Sequence, residues 1–97
     1  MGHRLHKRRL EQASSRVREL THELRVVQDQ LGHLVDESDD KSMRALVSET
    51  PLADFEYRDA KRHTDVMLRH RDNIVAELAQ LDVRINELLD RMKESSS

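Results

Sequence analysis

Six histidines, His3, His6, His22, His33, His63 and His70, are the side chains of this sequence best suited to hold a metal or move a proton. A zinc site needs ligands that converge tetrahedrally, usually with cysteine or carboxylate help, and there is no cysteine. His3 and His6 lie three residues apart near the amino end. His63 and His70 are seven apart, two helical turns or about 10 Å along an axis, too far to share one ion alone. The reading that fits better places His63 and His70 as polar positions in a helix seam that fix register or loosen a joint, with a pH-dependent interface as the second reading. No metal ligand and no cofactor site follows from these spacings.

The second set of candidate groups is acidic. Asp36, Glu37, Asp39 and Asp40 fill four of five consecutive positions, with Asp54, Glu56 and Asp59 further on. A calcium loop needs its central glycine and a glutamate at position twelve, and neither is here, so an acidic turn facing water is the expected role. A basic run, Arg4 with Lys7-Arg8-Arg9, opens the chain. Residues 1–25 carry a net +4, residues 26–59 a net −6, and the remainder balances, within an overall charge of −2. The basic run has no interleaved aromatics for base stacking and belongs to an acidic chain, unlike most nucleic-acid binders. Nucleic-acid contact through it is therefore a secondary reading. No Ser/His/Asp set and no glycine-rich phosphate loop is present, and no catalytic residue is assigned. The chain is not expected to be an enzyme.

The elements that carry these groups are helices. Of the 97 residues, 37% are charged and 36% hydrophobic, with only Phe55 and Tyr57 aromatic, two glycines and one proline. That profile marks long helices or coiled coil. Leu10, Ala13, Val17, Leu20, Leu24, Val27, Leu31 and Leu34 follow an unbroken alternation of three and four steps, the heptad of a coiled-coil seam. The spacing predicts a helix over about 5–35. The acids at 36–40 would oppose the macrodipole at a helix C-terminus, so they are expected to end it and to lead into a short helix over 41–49. Thr50 then caps, and Pro51 starts, a long helix over 51–93, with 94–97 a frayed tail. In that helix Ile74, Leu78, Leu81, Ile85, Leu88 and Met92 make a clean seam. Upstream the seam is expected to run Ala60, His63, Met67, His70, with a stutter where His70 meets Ile74 and Leu78.

The sequence thus predicts one all-α domain over 1–97: an antiparallel coiled-coil hairpin with a short helix in the connection. Folding back between residues 35 and 52 would pair Leu31 with Tyr57, Leu24 with His63, Leu20 with Met67 and Ala13 with Ile74. The end of the long helix would then overhang, leaving Leu88, Leu89 and Met92 bare. Those three residues and the rest of the two seams are the expected contacts of a homodimer or a heteromeric helical complex. No apolar stretch approaches the roughly 18 residues of a membrane span, and the expected location is the cytoplasm.

Glu56-Tyr57-Arg58-Asp59-Ala60-Lys61 and Arg84-Ile85-Asn86-Glu87-Leu88 resemble the coiled-coil finger of Gre-type transcript-cleavage factors. The resemblance covers under half of the chain. It implies an antiparallel hairpin whose acidic tip enters the secondary channel of bacterial RNA polymerase. Where that family places acids just before its Glu-Tyr pair, this chain has Thr50 and Ala53. Two functional expectations follow: a non-enzymatic interaction or scaffold module working through protein contacts, and, second, a transcription-associated regulator using the acidic turn.

Overall fold

A computed structural model describes residues 2–96. It contains two long helices, α1 (Gly2–Ser48) and α2 (Pro51–Ser96), joined by Glu49 and Thr50. The architecture is an all-helical hairpin. By contacts the chain divides into two compact units, one formed by Met1–Leu24 with Ile74–Ser97 and the other by Arg25–Asn73.

The reversal has a clear local cause. Glu49 adopts φ 51°, the left-handed conformation that ends a helix, and its N–H still reaches the Ala45 carbonyl at 3.1 Å. Thr50 precedes proline and is steered away from helical angles. Its Oγ1 accepts the Ala53 N–H at 3.2 Å, capping α2, while Pro51 takes the first helical position, where a missing N–H costs nothing.

The acids at 36–40 do not end α1, and no separate helix over 41–49 exists; a single helix runs through to Ser48. The macrodipole penalty acts only in the last turn, and these residues lie well before it. Glu37 and Lys41 also pair along the helix at 3.2 Å. More importantly, the three–four spacing continues under them. Ser38, Lys41 and Ala45 are half-buried in step with Leu31 and Leu34. An apolar count loses the pattern there because two of these positions are polar. At the ends, Gly2–Arg4 extend α1 ahead of its expected start and Glu94–Ser96 belong to α2 where a frayed tail was expected; Ser97 lies outside the described residues.

In the Arg25–Asn73 unit the core comprises Val27, Leu31 and Leu34 from α1 and Ala53, Tyr57, Ala60, Thr64 and Met67 from α2. The expected histidine seam is displaced by one residue. His63 and His70 are exposed, whereas Thr64 is buried and Arg71 half-buried. With Thr64 and Arg71 in the frame, the spacing from Ala53 to Met92 is regular and the stutter disappears. Thr64 tolerates burial because its hydroxyl is satisfied, lying 3.0 Å from the Ala60 carbonyl and 3.3 Å from the Leu34 carbonyl on α1. Arg71 lays its stem along the core and turns its guanidinium out to Asp72, at 2.9 Å.

In the other unit Ala13, Leu20, Ile74 and Leu88 are buried, with Leu10, Val17, Leu24, Leu78, Leu81, Ile85 and Met92 half-buried around them. Pairing differs from the expected register here and in the Arg25–Asn73 unit. Arg16 meets Glu77 and Thr64 meets Leu34, where the sequence-based pairing would have brought residues 10–11 and 23–24. The difference follows from α1 continuing to Ser48. The chain turns back at Glu49 and Thr50, so each α2 residue meets a later α1 residue. The expected overhang is therefore absent, and Leu88, at 1% exposure, is core.

Candidate functional site

The residues that the sequence marked for partner contact divide into two groups. Leu10, Val17, Leu20, Leu24, Val27, Leu31, Leu34, Ile74, Leu78, Leu81, Ile85, Leu88 and Met92 are buried or half-buried within the single chain, and only Leu89 stays exposed. They hold the hairpin together. The acidic residues Asp36, Glu37, Asp39 and Asp40 lie on α1, nine or more residues before Glu49. That is at least about 13 Å below the turn at 1.5 Å per residue.

The surface that demands explanation is apolar and surrounds the turn. Met43, Leu46 and Val47 on α1 are 66%, 72% and 84% exposed, and Leu52 and Phe55 on α2 are 66% and 61% exposed. Helical geometry accounts for this. Lys41 and Ala45 occupy the core-facing positions of the last turns of α1, and the residues between them point outward. Ala53 and Tyr57 do the same on α2, leaving Leu52 and Phe55 outside. Five large apolar side chains, each more than 60% exposed and grouped around one turn, differ from the singly scattered apolar residues of an ordinary surface. The signal that finds them is the seam frame, which, carried through Ser38 and Lys41, puts them on the wrong face for a core.

Electrostatics around the site are simple. The strongest ion pair lies in the Met1–Leu24 and Ile74–Ser97 unit, where Arg16 Nε donates to Glu77 Oε2 at 2.7 Å and Nη2 to Oε1 at 3.3 Å, with Glu19 at 3.2 Å from Nη1. The guanidinium holds the Glu77 carboxyl below the usual carboxylate range, and the two glutamates push Arg16 up in turn. Around the turn, Asp54 pairs with Arg58 at 2.7 Å. Among the described residues no ion pair involves Glu49, Glu56, Asp36, Asp39 or Asp40.

Among the described residues no group of three or more His, Cys, Asp or Glu side chains is placed to hold a metal ion. The grooves are open and shallow. One is lined by Val35, Ser38, Asp39, Tyr57, Lys61, Thr64 and Asp65; another by Gln30, His33, Leu34 and Met67. Among the described residues no helix is long and apolar enough to cross a membrane. No family model matches the chain, and neither a curated protein nor a solved structure matches it.

Proposed function

We propose that this protein is a non-enzymatic interaction module, an antiparallel coiled-coil hairpin that binds protein partners through the apolar surface at its turn. The observation that carries the reading is the exposure of Met43, Leu46, Val47, Leu52 and Phe55 on two well-capped helix ends. Apolar surface of that extent is covered in a working complex or becomes an aggregation liability. The hairpin core is complete without these residues, so they are free to face a partner. The partner surface replaces the seam and overhang that sequence spacing suggested, because those residues are already used within the chain.

The test is photo-crosslinking in the native cell from a benzoylphenylalanine placed at Val47. A discrete adduct, lost when Leu46 is changed to Asp, is expected. The same probe at Gln28, on an exposed polar stretch of α1, should give none. Equal labelling from both sites, or none from Val47, would remove the turn as a docking surface.

A further inference from the structure

The apolar surface on α1 continues directly from the acidic one. Asp36, Asp39, Asp40, Met43, Leu46 and Val47 fall within an arc of about 120° on a helix of 3.6 residues per turn, opposite Ser38, Lys41 and Ala45. All six are exposed. The partner of such a face must offer apolar contact at one end and cations at the other. An anionic lipid surface is the wrong sign, since three unpaired carboxylates would be brought against it.

The chain itself carries a matching surface. In the Met1–Leu24 and Ile74–Ser97 unit, Ala13 and Leu81 floor an open groove of about 250 Å³ that is walled by Arg9, Gln12, Arg16 and Arg84. Arg16 is held by Glu77 and Glu19. Among the described residues no ion pair involves Arg9 or Arg84, and both flank the same groove. Arg4, Lys7 and Arg8 are exposed at the same end of α1 but on a different face of the helix from the groove. This is an apolar floor with a cationic rim, the complement of the acid-and-apolar face near the turn.

Building on the turn as an interface, we propose that its occupant is a second copy of this chain. The α1 face of one copy docks on the Arg9–Arg84 groove of the other, with Asp36, Asp39 and Asp40 supplying carboxylates to the arginines. Both surfaces belong to one sequence, so each copy offers its α1 face to a neighbour's groove and its own groove to a neighbour's α1 face. Complementary charge also makes the association salt-dependent.

Two charge-reversed chains test the pairing by sedimentation equilibrium. One carries Arg9→Glu and Arg84→Glu; the other carries Asp36→Lys, Asp39→Lys and Asp40→Lys. The wild type is expected to associate at about 50 mM salt and at least tenfold more weakly at about 500 mM. Each variant alone should be monomeric, because like charges now meet at both contacts. An equimolar mixture of the two should associate again, because every contact is then between opposite charges. A monomeric wild type, variants that associate alone, or a mixture that stays monomeric each overturns the proposal. Should either variant lose helical circular dichroism, the single reversals Arg9→Glu and Asp40→Lys carry the same comparison. Wild-type association that Leu46→Asp abolishes but charge reversal does not would keep the turn as an interface and reject the groove as its receptor.

Discussion

Leu88→Ala separates a self-sufficient hairpin from one that depends on a partner for its core. Leu88 is 1% exposed within a single chain, so truncation removes a fully buried isobutyl group and leaves a void. Buried Leu→Ala changes cost about 2–5 kcal/mol, the low end applying where neighbours can collapse into the space. A two-layer helix pair can relax from its solvent sides, which sets the expectation at about 2–3 kcal/mol. For a chain of this size 1 kcal/mol moves Tm by about 4–8 °C, so the drop should be on the order of 8–24 °C. Leu89→Ala, one residue on and 46% exposed, should cost less than about 1 kcal/mol. Both are read by thermal circular dichroism across a hundredfold range of protein concentration. The loss at Leu88 should not vary with concentration, since the cover comes from the same chain. A shift within about 3 °C, or a loss confined to high concentration, would refute the intrachain burial of Leu88.

Other consequences are local. Glu49→Gly should stabilise by about 1 kcal/mol, because glycine adopts positive φ without the penalty that a side chain meets there, whereas Thr50→Ala should destabilise by about 1 kcal/mol through loss of the cap to Ala53; denaturant midpoints measure both. Gly32→Ala should add about 0.5–1 kcal/mol, since a Cβ there meets nothing within 4 Å and glycine weakens a helix interior. Glu77 has its folded pKa lowered by Arg16, so its contribution is present above the unfolded value of about 4.3 and is lost as pH falls through the folded one. The Tm gap between wild type and Glu77→Gln, followed from pH 6 to pH 2.5, should therefore close on the acid side, and a constant gap would separate Glu77 from that pairing.

The three–four spacing of Leu10 to Leu34 and of Ile74 to Met92 was legible because aliphatic side chains filled every seam position. Thr50-Pro51 was legible because each residue has a specific backbone role at a helix start. What stayed hidden was the seam where its occupants are polar. Ser38 and Lys41 carry α1 past the acids, and Thr64 and Arg71 replace the histidines beside them. A threonine whose hydroxyl finds carbonyls, and an arginine or lysine whose stem packs while its charge reaches water, fill such positions without looking apolar. Missing those four residues shortened α1, displaced the pairing of the helices and produced an overhang that the protein does not have. The apolar surface at the turn was hidden for the same reason. Met43, Leu46 and Val47 fall on one face of the short helix expected over 41–49, and the true frame turns that face outward.

The most direct test of the turn as the working surface is sedimentation velocity of the fluorescently labelled chain in native extract. The wild type is expected to travel in an assembly larger than its own 11.4 kDa, and Leu89→Asp, away from the turn, should travel with it. Leu46→Asp combined with Val47→Asp, at positions 72% and 84% exposed, should keep its helix content and return to the monomer. A wild type that sediments as a monomer, or a turn variant that stays in the assembly, would contradict the account.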